Sequence, residues 1–258
     1  MSLGGNVCVR DGNKLDYCWK EAIQSLLPVV DVCVVCDGGS TDGTLEEIRA
    51  WCEREPKLRL CCYPWTDPSG DIEFWVKWLN FAREHIPCTH QIQLDADEVL
   101  DDESYREIRA YVKEAPRASL VCKRLNYWRD LRHTIPPGVC LSHRPTRLCP
   151  TDVWLPSDGA HPLGAECTGM SRESGVVIHH YGFLRRPEAY FAKQRLLQRY
   201  FFGGDQDKRL EDVEVAIRDG GKWMDKIQGV EWSEDANICH EKQPIVAHQW
   251  LRERGFNP

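Results

Sequence analysis

The chain has 258 residues, 42% of them hydrophobic, and a formal net charge of -7. That length suits one large α/β domain, or a domain with a sizeable appendage, and the apolar share can supply an ample core. The acidic balance argues against a nucleic-acid binder that works by broad phosphate neutralisation, while leaving room for a local basic pocket around a nucleotide.

NVCVR (6–10) reads as a first strand, with Met1–Leu3 taken as a leftover of expression and Arg10-Asp11-Gly12-Asn13 as the exit loop. Leu15, Cys18, Trp19, Ala22, Ile23, Leu26 and Leu27 then recur at helical spacing, and Pro28 ends the helix. Val32–Cys36 is an almost unbroken apolar, β-branched run, the pattern of a strand buried on both faces, and it ends in Asp37. Gly38 and Gly39 permit a tight turn, and Thr44 to Glu47 reads as a capping box opening a helix, with Asp42 as an alternative cap.

LRLCCY (58–63) is a third strand, followed by a helix over about 72–85. QIQLDADEVL (91–100) is a strand that stops at Asp95, Asp97 and Glu98; SYREIRAYVKEA gives a helix and ASLVCKRLNYW (118–128) a strand. Such alternation predicts a mostly parallel mixed sheet flanked by helices. Residues 131–170 lack a sustained period and suit a binding or lid region. VVIHHY (176–181) reads as a strand, with helices over 187–201, near 210–217 and over 244–254 as a helical C-terminal extension.

Strand side chains alternate, so Asp95 and Asp97 are expected on one side of the strand end. Two crowded carboxylates repel unless a positive charge sits between them, and a hard divalent ion carrying a diphosphate is the usual solution. The plain alternative is a solvated acidic loop, since Asp101, Asp102 and Glu103 follow. Ligands of open parallel α/β sheets bind outside the carboxyl ends of the strands, where Asp37 and Asp95/Asp97 meet if both strands share a sheet.

DGGSTDGT followed about fifty residues later by LDADE resembles family 2 of the glycosyltransferases, enzymes of the GT-A fold. The likeness covers about residues 6–130. It implies a nucleotide-sugar-binding half over 1–130 and an acceptor-side half over 131–258, folded as one unit. It implies an inverting, metal-dependent transfer of a sugar from a nucleoside-diphosphate donor to an acceptor hydroxyl, in glycan or cell-envelope polysaccharide synthesis. The donor expected first is a UDP-sugar, with guanosine and thymidine carriers still open. The acceptor is a glycan or a lipid-linked molecule, and the ion is Mn2+ or Mg2+.

On the same resemblance Asp37 contacts the nucleoside, Asp95 the ribose or a metal-bound water, and Asp97 the metal. Arg10 and Asp11 line the nucleoside pocket, or else form an ordinary charged loop. Many relatives carry a second acid where this chain has Gly38. His180, ahead of His179, is expected as a late metal ligand, and Asp158, then Glu166 and His161, as general base. Trp65, Trp128 and Trp154 are candidates for stacking an acceptor sugar; Trp19, Trp51, Trp75 and Trp78 read as core. Arg144 and Arg147 read as surface arginines that could also hold a diphosphate.

Two other functions compete. A nucleotidyltransferase making nucleotide sugars shares paired metal carboxylates, but RDGNKLDY after strand one is not the Gly-rich basic loop such enzymes carry. A non-catalytic nucleotide- or sugar-binding relative is the other; Val99 and Leu100 rule out a helix-loop-helix calcium site. The thirteen cysteines lie mostly in apolar contexts, and the single CxxC (Cys33, Cys36) is inside a strand. A reduced, cytoplasmic protein is therefore expected, with no signal peptide or membrane span but with peripheral membrane contact open.

Overall fold

The computed structural model describes residues 1–65, 72–114, 117–135, 144–152, 171–202, 226–227, 230–231 and 238–258. Strands β1 (Leu3–Val9), β2 (Val32–Asp37), β3 (Leu58–Cys62) and β4 (His90–Asp95) alternate with helices α1 (Trp19–Leu26), α2 (Thr44–Cys52) and α3 (Ile72–Glu84). Then follow β5 (Glu98–Leu100), α4 (Tyr105–Glu114), β6 (Ser119–Asn126), β7 (Thr146–Pro150), β8 (Ser171–His180) and α5 (Pro187–Phe202). A two-stranded pair, β9 (Lys226–Ile227) and β10 (Val230–Glu231), and a short helix α6 (His248–Arg252) complete the described elements.

The main sheet has the order β3-β2-β1-β4-β7-β6-β8-β5. Its β3-β2-β1-β4 half is parallel throughout, and every residue of β1 and β2 is buried, as their apolar, β-branched runs require. One layer of core packs α1, α2 and α4 on one face; α3 covers the other through Val76, Trp78, Leu79 and Ala82. The α/β class and the mostly parallel mixed sheet are as expected, and the carboxyl ends of β2 and β4 do lie in one sheet, flanking β1.

The β9–β10 pair and two strands of the main sheet were not foreseen. β5 is only Glu-Val-Leu, and it follows the acids of the preceding turn so closely that its sequence reads as solvated loop. It pairs antiparallel with β8, at the edge farthest from β3. β4 and β5 stand four places apart in the sheet yet are joined by Ala96 and Asp97 alone, so the sheet must curl to bring its edge back to its centre. β7 lies inside the stretch read as irregular, and β8 starts at Ser171 rather than near 176.

The capping box at Thr44 is also absent. Gly43 (φ 91°) takes the cap position, Asp42 Oδ1 accepts from the Thr44 N–H (3.1 Å), and Glu47 instead accepts from Asn13 Nδ2 at 2.8 Å. The expected helix near 210–217 lies outside the described residues. At the C-terminus a 3-10 turn, Ile245–Ala247, leads into α6. Among the described residues no helix is long and apolar enough to cross a membrane, and the described cysteines are free thiols.

Candidate active site

Val9 pairs with Asp37 and Cys8 with Asp95, so the two acids end strands on either side of β1, about 10 Å apart by two inter-strand spacings. The one-residue offset in register turns them to opposite sides of the pleat.

Asp37 is fully buried and serves the turn that follows it. Its Oδ1 accepts from the N–H groups of Gly39 (2.8 Å) and Ser40 (3.0 Å), and its Oδ2 from the Ser40 hydroxyl. Ser40 Oγ in turn accepts from the Asp11 N–H (2.9 Å), and Asp11 Oδ1 accepts from the Thr41 N–H (2.7 Å). The two acids thus lace the loops after β1 and β2 into one platform. The Arg10 guanidinium lies 4.0 Å over the Trp65 ring, and Trp65 packs edge-on against Trp78.

This packing accounts for Gly38. A Cβ there would stand 2.8 Å from Trp78 and 3.0 Å from Trp65, so the room a side chain would need at this position is taken by two indoles. Of the proposed stacking residues, Trp128 is buried (1% exposed) and unavailable to a ligand, and Trp65 already carries Arg10; Trp154 lies outside the described residues. Trp19 and Trp78 are core, as expected; Trp51 and Trp75 are only half-buried, packed at its margin.

Asp95 and Asp97 do not face each other across a shared charge. Arg147 Nη2 donates to Asp95 Oδ2 and to Glu98 Oε1, both at 2.6 Å, and Arg124 Nη1 donates to the same Glu98 oxygen at 2.9 Å. Burial pushes Glu98 up, but Arg147 and Arg124 hold it down to about 2; burial and the Glu98 charge raise Asp95, against the pull of Arg147. Arg147 is 1% exposed, so it is a buried counter-ion rather than a surface arginine. Arg144 is the exposed one, paired with Glu173.

Asp97, two residues on, turns the other way. Arg185 Nη2 and Lys193 Nζ both donate to its Oδ2, the lysine at 2.9 Å, while its Oδ1 faces His180 Nε2 at 3.7 Å. Burial pushes Asp97 up, yet Lys193, His180 and Arg185 hold it well below the usual carboxylate range. His180 is itself lowered by burial, against the attraction of Asp97. Its Nδ1 is buried with no hydrogen-bond partner. Gly182 gives this corner its room: a Cβ there would lie 2.6 Å from His180 Nε2 and 3.1 Å from Asp97 Oδ2.

His179 is placed elsewhere. Alternation along β8 sends it to the opposite side, fully buried, between Asp101 Oδ2 (3.0 Å from Nε2) and the Tyr127 hydroxyl (2.8 Å from Nδ1). An ionised carboxylate only accepts, so Nε2 carries the proton and Nδ1 accepts from Tyr127. Both nitrogens are committed, which removes His179 from any metal. Asp158, His161 and Glu166 lie outside the described residues. Sequence reasoning missed Arg185, Lys193, Glu98 and Arg124; the Arg185-Arg186 pair five residues after His180 was the one available signal.

Among the described residues no group of three or more His, Cys, Asp or Glu is arranged to hold a metal ion. Asp97 Oδ1 and His180 Nε2 nonetheless lie close enough to serve as two donors to one transition-metal ion such as Mn2+, with substrate phosphates and water completing its shell; Mg2+ would rest on the Asp97 carboxylate.

No protein-family model matches the chain, and no curated protein does. Solved structures of similar shape include S. aureus TarS 1-349 in complex with UDP-GlcNAc, at 16% identity and a TM-score of 0.48, covering 83% of this chain and 70% of that one. A putative glucose-1-phosphate thymidylyltransferase from Bacillus anthracis, in complex with a sucrose, matches at 10% identity and a TM-score of 0.48, over 78% and 96%. GalNAc-T7 with UDP, GalNAc and Mn2+ matches at 11% and 0.38, over 48% and 23%.

Proposed function

We propose that the chain is a glycosyltransferase that moves a sugar from a nucleoside-diphosphate donor, a UDP-sugar first, to a glycan or lipid-linked acceptor hydroxyl. The observation that carries this reading is the placement, at the carboxyl ends of β1, β2 and β4, of a loop platform built on Asp11 and Asp37 beside Asp97 of the turn after β4. On Asp97 converge His180 from β8, Arg185 from the turn after it, and Lys193 from α5, with Arg185 also bonded to Leu15 O of the loop after β1. In this reading the platform, with Arg10 stacked on Trp65, takes the nucleoside on one side. A diphosphate has a cation-rich corner on the other.

In this reading Arg10, Asp11 and the turn ordered by Asp37 hold the nucleoside, and Asp95 faces the ribose. Asp97 and His180 would hold Mn2+, or Asp97 alone Mg2+, either of which supplies Lewis-acid stabilisation of the leaving diphosphate. Transfer breaks the bond from the anomeric carbon to the β-phosphate oxygen, whose electron pair stays with the phosphate. The acceptor oxygen forms the new bond, with inversion, as its proton passes to a base, for which Asp158, then Glu166 and His161, remain the candidates.

The test is the melting temperature against UDP, GDP and dTDP, each with and without Mn2+. A ligand of the folded state alone must raise it by mass action. A metal-dependent rise for one nucleotide is the expected outcome. No rise for any of them would overturn the proposal.

A further inference from the structure

Around the turn after β4, three carboxylates (Asp95, Asp97, Glu98) meet four cations (Arg124, Arg147, Arg185, Lys193), so the cluster carries one positive charge more than it balances. The surplus can be located. Arg124 and Arg147 are consumed by Glu98 and Asp95. Arg185 is locked in place: its Nε donates to Gly182 O (2.9 Å), its Nη1 to Leu15 O (3.1 Å) and its Nη2 to Asp97, with the guanidinium on the Tyr17 ring at 4.4 Å. Asp97 therefore has a full counter-ion without Lys193.

Lys193 differs from Arg185 in every respect that governs mobility. It stands on α5 and its side chain is 22% exposed, against 1% for Arg185. Its contacts are Asp97 Oδ2 and the Tyr17 ring at 5.3 Å. A lysine is a point charge on a flexible four-carbon stem, and leaving one of two cations on a shared carboxylate costs little beside leaving a sole partner.

Resting on the glycosyltransferase reading above, we propose that Lys193 is the donor-binding cation of this site. It rests on Asp97 in the empty protein and moves to the β-phosphate as the sugar leaves. The electrostatic logic concerns the charge that appears during transfer. A nucleotide-sugar diphosphate carries two negative charges; once its glycosidic bond breaks, the nucleoside diphosphate carries a third. Asp97 and His180 would hold the divalent ion that offsets the first two. Lys193 answers the third, so its contribution is greatest for the departing product and for the transition state that leads to it.

The experiment compares wild type with Lys193→Gln and Lys193→Arg, measuring the Kd in Mn2+ for the nucleoside diphosphate that stabilises wild type and for its parent nucleoside. Lys193→Gln is expected to weaken the diphosphate at least tenfold and the nucleoside less than twofold, with Lys193→Arg recovering part of the loss. Because the lysine is partly exposed and Arg185 stays on Asp97 without it, the unliganded melting temperature should move little. Diphosphate binding within twofold of wild type in Lys193→Gln would overturn the inference while leaving the proposed function standing. Equal losses for nucleoside and diphosphate would overturn it too, as a mere structural effect. A wild type that binds no nucleoside diphosphate would instead bring down the function, and this inference with it.

Discussion

Glu98 of β5 stands directly opposite His180 of β8 in the antiparallel ladder, and this one register fixes the candidate site. The Tyr181 N–H donates to the Asp97 carbonyl at 2.9 Å just beyond it, so the acidic turn is clamped to the end of β8. Glu98 is buried beneath Arg124 and Arg147 and is their shared acceptor. Removing one partner from such a buried cluster costs about 3–5 kcal/mol, because the others stay buried and uncompensated. Glu98→Gln should lose stability on that scale in urea unfolding at pH 7.

The same glutamate gives a pH signature. Its value is depressed from 4.5 to about 2 in the folded protein, so its stabilisation is complete above about pH 4.5 and fades as pH falls towards 2. Asp95, raised by burial and by the Glu98 charge, works with the opposite sign, and the part due to Glu98 is lost in the variant, which offsets some of the narrowing at low pH. The stability difference between wild type and Glu98→Gln should therefore shrink steadily below pH 4.5; a difference that holds constant down to pH 3 would contradict the assignment.

Placing a second acid after Asp37 should harm this chain. At Gly38 even a methyl group presses on Trp78 and Trp65, and overpacking of this kind costs about 1–3 kcal/mol. Gly38→Ala should lower the melting temperature and disturb Trp65 fluorescence through the displaced Arg10 stack. Gly38→Asp should do more of both, without gaining nucleotide affinity.

Much of this was legible in the sequence, and the failures have physical causes. The run from Val32 to Cys36 could only be a buried strand, and the acids at 37, 95 and 97 marked the carboxyl ends correctly. What local pattern cannot carry is long-range pairing. β5 was hidden because three residues after a string of acids have no period, and only their pairing with β8 makes them a strand. Arg185 and Lys193 were hidden for the same reason: a cation after a strand or on a helix reads as a solvated charge until a partner 88 or 96 residues away is placed beside it. Alternation foretold that His179 and His180 would part company, and their partners decided which went where.

Gly182 offers a sharper probe of the corner than any charged residue in it. Its Cα hydrogen faces His180 Nε2 and Asp97 Oδ2, and an added methyl would sit 2.6 Å from the first. The backbone there needs no positive φ, so Gly182→Ala should fold with a loss of at most a few kcal/mol. It should nevertheless cut metal-dependent nucleoside diphosphate binding at least tenfold, because the methyl occupies the approach to His180 Nε2 and crowds the Asp97 carboxylate. Titration of Mn2+ at fixed nucleotide, comparing Gly182→Ala with wild type, measures this directly; unchanged Mn2+ dependence would place the ion elsewhere.

The two histidines of β8 should separate cleanly by experiment. His179 is fully buried, with Asp101 and Tyr127 filling both ring nitrogens and Tyr181 stacked beside it. His179→Ala leaves a cavity and strands a buried hydroxyl and a carboxylate, at a cost of about 2–5 kcal/mol, with the Mn2+ requirement of the remaining folded protein unchanged. His180 makes one long contact to Asp97, packs edge-on against Phe183 and leaves Nδ1 without a hydrogen bond, so its imidazole contributes less to the fold than that of His179. His180→Ala should keep most of the stability and lose the metal-dependent part of nucleotide binding. Measuring both variants by urea unfolding and by Mn2+ titration gives two readouts, and they should move in opposite order. If His179→Ala were the variant that lost metal dependence, the pairing of Asp97 with His180 as the ion's ligands would be wrong.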